Sequence, residues 1–456
     1  MNFNRRNFMK SLGAGALAPS LMASSGRRIK AQAKQVLVIF EQGGVSQIDT
    51  FDPKPMANII HRSPFKSIKT NVPGIHFTEL MEKTAKVADR MTVVRSMFQK
   101  KASIGNSHPL GSQYIMSAGD PTGPVELPDI GSVIAHHKGR LAPYLPAYVH
   151  EATGEQSKFA SRLGFLAAKD KAFAIKYGEV NGLGLSKDAI EQLLERRKLL
   201  SKLNSGMGKN TSEQILAMQT FSQQAEEMLI NPNTVAAFDL SNEPAHIKKL
   251  YGPEQKELRQ RADLYMLGRK LIESGVRYVC IDTKFRNIDN RYSGGGNMNW
   301  DHHDAIYSKS HTNIPGGGAG GGRYGIGTWP MMGSTDWALS GLIQDMDQRG
   351  LLEDTLVCFV TELGRTPKIN ERQGRDHWTH AFSYAFAGAG VPRGHVVGET
   401  DKDGYYITSS RGYTIEDFGA TILEKMGIDN ESPIHTPAGR PMFVAKGGHA
   451  IPELFA

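Results

Sequence analysis

The chain has 456 residues, 39% hydrophobic and 22% charged, which suits one large or two medium globular domains and excludes a disordered or fibrous protein. Its formal charge of +8 invites a nucleic-acid reading. However, residues 1–33 hold six cations (Arg5, Arg6, Lys10, Arg27, Arg28 and Lys30) and no acid, so the remainder carries only +2 and no nucleic-acid partner is expected.

The first 33 residues read as an address. Asn4-Arg5-Arg6-Asn7-Phe8-Met9-Lys10 is a twin-arginine pair followed by an aromatic, an apolar and a basic residue. A mild apolar stretch, Ser11–Ser24, comes next, and Ala31-Gln32-Ala33 offers a small-x-small cleavage point. The expectation is a bacterial twin-arginine signal removed after Ala33, with the twin-arginine machinery as partner and a periplasmic or extracellular destination. No apolar run reaches the roughly 18 residues of a spanning helix, and no early cysteine offers a lipid anchor, so no membrane anchor is expected. This route carries folded proteins, which favours a metal or cofactor loaded beforehand.

Gln35–Phe40 is a continuous apolar, partly β-branched run of the kind buried on both faces of a parallel sheet. Similar runs recur at Met91–Arg95, Pro146–His150, Arg277–Asp282, Thr355–Thr361 and Ala381–Gly388, with helical patterns at Leu80–Arg90, Ile130–His137, Asp336–Arg349 and Ile415–Met426. This alternation predicts an α/β fold, a doubly wound, mostly parallel sheet sandwiched by helices, with ligands at the carboxyl ends of the strands. Residues 186–275 read as a helical insertion on an α/β domain spanning 34–456, and the charged stretches EQLLERRKLLSK and KELRQRAD read as solvated helix surface. Cys280 and Cys358 are too few for a disulfide framework and lie in apolar runs, so buried free thiols are expected.

Four polar clusters sit at strand ends or in the loops that follow. Glu41 comes directly after the first run, with Asp49 and Asp52 beyond it. Ser107-His108 lies in the loop after the MTVVRS run, before a glycine-bounded helix, where unpaired amide donors suit an anion. In Asn299-Trp300-Asp301-His302-His303-Asp304, an Asp and a His two positions apart can turn toward one cation. Carboxylate plus imidazole suits zinc first, with manganese or iron as alternatives. Glu362 follows another buried run, and Asp376-His377 comes soon after it. Glu41, Asp301, His303, Glu362, Asp376 and His377 are therefore the candidate metal ligands, Asp376 alternatively orienting His377.

The run GGVSQIDTFDPKP, the stretch VVRSM followed by a histidine, the phrases AFDLSNEP and GRKLIESGVRYV, the WDHH loop, and ELGRTPKIN with GRDHW together resemble the family known as domain of unknown function 1501. The resemblance covers Lys34 to the C-terminus. That family is similar to the alkaline phosphatase superfamily, which implies an α/β sandwich, two bound metal ions, and phosphoryl or sulfuryl ester chemistry. It implies Glu41 as the acidic ligand after the first strand, with Asp49 as substitute, and Ser107 or His108 near the nucleophile position. It also implies Asp301 and His303 in one metal centre and His377 as the final histidine. Leu363 stands where the superfamily places a metal-binding histidine, and the Cys/Ser-x-Pro-x-Arg motif of formylglycine sulfatases is absent.

The expected function is an exported metal-dependent hydrolase acting on a small anionic ester or on a sulfated or phosphorylated glycan. Ser107 or His108 would be nucleophile or base, Arg365 would neutralise substrate charge, and a metal-activated water is the alternative attacker. The competing expectation is a relic of the same fold that binds a glycan or a protein without turnover.

Overall fold

The computed structural model describes residues 29–152, 162–177, 187–205, 226–228, 230–253, 259–283, 300, 301, 303, 306, 307 and 332–455. The twin-arginine motif, the glycine-rich stretches 293–296 and 316–327, and His302 lie outside them.

Eight strands form the central sheet: β1 Gln35–Phe40, β2 Thr92–Met97, β3 Tyr148–Ala152, β4 Phe173–Ile175, β5 Tyr278–Asp282, β6 Thr355–Val360, β7 Phe382–Ala387 and β8 His395–Val397. Their spatial order is β8-β2-β7-β6-β1-β5-β3-β4. Every neighbouring pair is parallel except the two made by β7, which runs against both β2 and β6. The mostly parallel sheet expected from the apolar runs is thus present, with one reversed strand.

The continuous apolar character of β1 follows from its place near the middle of the sheet. Successive side chains point to opposite faces, and both faces are covered. Leu37 and Ile39 join one core, with Leu264 and Leu271 of one helix and Leu339 and Leu342 of another. Val36, Val38 and Phe40 join the other, with Ile115, Val133 and Phe418. The helices that supply these residues are α2 His108–Ser117, α3 Ile130–Lys138, α6 Gln260–Glu273, α7 Ser334–Gln348 and α8 Ile415–Lys425; α1 Glu82–Ala85, α4 Lys187–Ser205 and α5 Ala245–Leu250 complete the labelled set. No helix among the described residues is long and apolar enough to cross a membrane.

Two expectations change. The helix expected over Leu80–Arg90 is broken into short turns, because the Asp336 carboxylate takes the backbone N–H groups of Lys83 and Thr84 at 2.8 and 2.7 Å and fixes a helix start there. The span 186–275 also contains α6, which lies on the sheet against β1 and β5 and belongs to the sandwich. Consequently the stretch KELRQRAD is not solvated throughout, since Arg261 is 2% exposed.

Cys280 and Cys358 are free and buried, and burial pushes both thiols above the ordinary thiol range, leaving them inert. His150, on the same sheet, is fully buried, and burial lowers its pKa from 6.5 to about 4. Above pH 6.5 it is neutral in folded and unfolded chains alike. As pH falls toward 4 only the unfolded chain takes up the proton, so this residue alone removes up to about 3 kcal/mol of stability across that window. Denaturant titrations between pH 7 and 4 are expected to show a shallower loss for His150→Gln than for the wild type.

Candidate metal centre

The carboxyl ends of β1, β2 and β6 converge on one place. Beyond β1, Glu41-Gln42-Gly43-Gly44 is buried. Gly43 has φ +106°, and a Cβ there would lie 2.5 Å from the Asp301 nitrogen and 2.6 Å from that of Trp300. Only glycine lets segment 300–301 lie on this turn. The Trp300 N–H donates to the Gln42 carbonyl at 3.1 Å, holding Asp301 in place.

Beyond β2 the chain enters α2, whose N-cap is Ser107. Its hydroxyl accepts from the Leu110 N–H at 3.5 Å, and Pro109 follows inside the first turn. His108 is therefore the first helical residue. Beyond β6, Glu362 is fully buried against this turn, with Gly111 close enough that a Cβ would meet the Glu362 Cβ at 3.2 Å. The two-residue strand Gly364–Arg365 pairs antiparallel with His377–Trp378, which brings His377 back to the same point.

The result is a four-residue donor group. One ligand atom each from His108, Asp301, His303 and His377 lies within 4.8 Å of all the others. Asp301 Oδ1 is 3.0 Å from His108 Nε2, 3.1 Å from His303 Nε2 and 3.5 Å from His377 Nε2. The His303 and His377 Nε2 atoms are 2.9 Å apart. For comparison, a tetrahedral zinc site with bonds of about 2.0–2.1 Å has ligand atoms separated by roughly 3.3 Å.

The opposite nitrogen of each imidazole is held by an acceptor. His108 Nδ1 meets Glu362 Oε1 at 2.5 Å, His303 Nδ1 meets Asp376 Oδ1 at 3.1 Å, and His377 Nδ1 meets the Asn106 carbonyl at 2.8 Å. With a proton on each Nδ1, all three Nε2 lone pairs face one centre. That is the arrangement by which a protein fixes the tautomer and orientation of metal-binding histidines.

The electrostatics agree with a site built for a cation. Burial opposes charge on His108, but hydrogen bonds to Asp301 and Glu362 outweigh it and raise its pKa to about 9. Burial alone would raise Asp301, yet bonds from His108, His303 and His377 hold it far below the carboxylate range. Glu362 is likewise lowered against its burial, by His108 and by the Gly43 N–H at 2.7 Å. His377 is lowered, by burial first and then by the charges of Arg365, His108 and His303, even though Asp301 pulls the other way. Two ionised carboxylates thus face three imidazoles, and an incoming cation would take the place of protons.

The sequence-predicted residues separate into three groups. His108, Asp301, His303 and His377 come together as donors, while Glu362 and Asp376 contact them through His108 and His303. Glu41 does not join them: it is fully buried in a fork with Arg261, at 3.0 and 3.2 Å, and accepts from the Tyr265 hydroxyl at 2.7 Å and the Trp300 indole at 2.9 Å. Asp49 is similarly held by Arg375 at 3.0 Å and by Ser46, Ser63 and Tyr307. Arg365 is fully buried. Its guanidinium donates to the carbonyls of Gly43, Gly44 and Arg375 and, at 3.0 Å, to Asp301 Oδ1. Its charge acts on the centre through Asp301 and on His377.

Arg261 and Tyr265 had been missed by sequence reasoning. Their i, i+4 spacing on a helix that also carries Leu264 and Leu271 was the available signal.

Beside the donor group opens a cavity of about 560 Å³, lined by Thr366, Lys368, Asn370, Arg372, Asp376 and Tyr405 among others. Asp376, which holds His303 Nδ1, lines the cavity and links it to the donor group.

No curated protein is similar enough in sequence to match the chain. Among solved structures it is similar to the lipoteichoic acid synthase LtaP from Listeria monocytogenes, at 8% identity over 89% of this chain and 77% of that one, TM-score 0.37. It is also similar to the phosphonate monoester hydrolase SpPMH from Silicibacter pomeroyi, at 12% identity over 92% and 76%, TM-score 0.40. A third is the PsFucS1 sulfatase from Pseudoalteromonas sp., at 12% identity over 90% and 70%, TM-score 0.35. The family described as "Protein of unknown function (DUF1501)" matches residues 33–455, and the chain belongs to it.

Proposed function

We propose that this chain is an exported, metal-dependent hydrolase of phosphate, sulfate or related anionic esters. The observation that carries the reading is the convergence of three Nε2 atoms and one carboxylate oxygen, each imidazole fixed from behind. A divalent cation, zinc first by donor chemistry and manganese or iron as alternatives, would be held by His108, Asp301, His303 and His377 and would supply Lewis acidity there.

The chain's own residues do the rest. Glu362, Asp376 and the Asn106 carbonyl hold the imidazoles in their working tautomer, and Arg365 holds Asp301 against the glycine turn. Lys368 and Arg372 stand on the rim of the adjoining cavity beside Glu371 and Asp376, and are its candidate contacts to an anionic ester. Ser107, the N-cap of α2 and the neighbour of His108, is the candidate nucleophile. If water attacks instead, Ser107→Ala keeps its turnover.

Protein purified without chelator is expected to hold about one equivalent of metal, as such donor sets do, and to hydrolyse at least one 4-nitrophenyl phosphate, sulfate or phosphonate ester. The Asp301→Ala/His377→Ala variant should do neither. An empty wild-type protein that gains no thermal stability from added zinc or manganese overturns the reading. The second reading, a non-catalytic glycan- or protein-binding relic, is favoured by Leu363, which is buried against Gly44 and offers no donor; bound metal without turnover on any ester would select it.

Export by the twin-arginine route belongs to the same proposal. Replacing Arg5 and Arg6 by Lys is expected to leave the precursor in the cytoplasm, read by fractionation, and normal export of that variant would remove this part.

A further inference from the structure

A second cationic groove lies outside the metal centre, on the face of the sandwich covered by α7. Three walls form it. Lys83, Lys86 and Arg90 come from α1 and the turns after it, His246 and Lys249 from α5, and Trp337 from α7. The cavity measures about 540 Å³, within the range of small-molecule sites. None of its described lining residues is acidic.

The walls are locked together. Asp336, the residue before Trp337, holds the Lys83 and Thr84 N–H groups and pins α1 to α7. Gly341 lets α7 approach α5 so closely that a Cβ would lie 2.5 Å from the Leu250 carbonyl oxygen. At the far end, Arg90 Nε bonds Asp347 at 2.7 Å. The Lys83 ammonium sits 4.0 Å from the centre of the Trp337 ring, an arrangement that orients the cation without neutralising it. Lys86 pairs with Glu82, but both are about two-thirds exposed, so water screens that pair and leaves the groove's field positive.

We propose that this groove binds a saccharide carrying more than one sulfate or phosphate group. Several cations share a cavity larger than a single oxyanion fills, and the Lys83–Trp337 pair sets an ammonium beside an aromatic ring on one wall, a combination that matches a sugar ring bearing an anionic substituent. Lys83, Lys86 and Lys249 meet the charged substituents, with the Lys83–Trp337 pair beside the ring. The site shares no lining residue with the metal centre and does not depend on ester hydrolysis.

The test uses the full mature chain at low ionic strength and a trisulfated heparin disaccharide as probe, with calorimetry for affinity and tryptophan fluorescence as a second readout. Wild type and Asp301→Ala are expected to bind alike, and Lys83→Gln/Lys249→Gln to bind at least about tenfold more weakly, the loss shrinking as salt is added. If the double variant melts early, Lys249→Gln alone, exposed on α5, carries the comparison. Equal binding by wild type and the lysine variants overturns the proposal, as does equal binding of the unsulfated disaccharide. Loss of binding in Asp301→Ala would move the ligand to the metal centre. Displacement by inorganic sulfate at the affinity of the disaccharide would reduce the groove to a single-anion site and overturn the saccharide assignment.

Discussion

Arg261→Met is expected to destabilise the fold by about 3–5 kcal/mol, because it strands the Glu41 carboxylate in the interior. Glu41 and Arg261 are each almost completely buried, and the guanidinium meets both carboxylate oxygens. Tyr265 and the Trp300 indole complete the acceptor sites of Glu41, and Arg261 also reaches the Ser334 hydroxyl at the start of α7. Removing the whole pair costs less than removing one partner, so Glu41→Leu/Arg261→Met should be more stable than Arg261→Met. Chemical denaturation of the two single variants and the double variant measures the coupling. One further variant decides what Glu41 does: Glu41→Gln is expected to keep the wild-type metal content, and loss of metal from it would restore Glu41 as a ligand.

Arg365→Met should cost a similar amount in stability and weaken metal binding as well. The side chain is fully buried and satisfies three backbone carbonyls and Asp301 at once. Each carbonyl left unpaired costs roughly 1–3 kcal/mol, and Asp301 loses the contact that aims it at the imidazoles. Groups that orient metal ligands typically account for about 10–100-fold in affinity, which a competitive chelator titration would register. Arg365→Lys is expected to rescue poorly, because an ammonium is a point donor and lacks the planar fork that spans Gly43, Gly44 and Asp301 at once. Rescue by lysine to wild-type metal affinity would show that charge alone matters here.

Much of the sheet was legible because burial on both faces writes itself as an unbroken apolar run. Gln35–Phe40, Thr92–Met97, Tyr148–Ala152, Tyr278–Asp282, Thr355–Val360 and Phe382–Ala387 all fall on such runs. The edge strands Phe173–Ile175 and His395–Val397 were missed, since three residues are too few for a pattern to rise above a loop. The reversed direction of Phe382–Ala387 was also invisible, as an apolar run encodes depth and not heading.

Asp301, His303 and His377 stood out through their spacing and their place after predicted strands. His108 was read as a base or nucleophile, because nothing near it in sequence shows that its Nε2 ends 3.0 Å from an oxygen 193 positions later. Glu362 was seen at the strand tip, but whether it meets a cation or a histidine depends on α2, which the local sequence does not position. Arg261 was hidden by its neighbours: within KELRQRAD it resembles solvent-facing charge, and only the buried carboxylate of Glu41 turns it inward.

The reversed strand also ties the site to a distant part of the chain. On its inner side β2 pairs only with β7, so the strand that leads toward His108 is held in the sheet by Phe382–Ala387, which lies between β2 and β6. The four donors are drawn from positions 108 to 377, so the complete set exists only where that whole span is folded. A truncated or half-folded chain lacks the complete set of donors, so ion retention would serve as a certificate that the fold is finished.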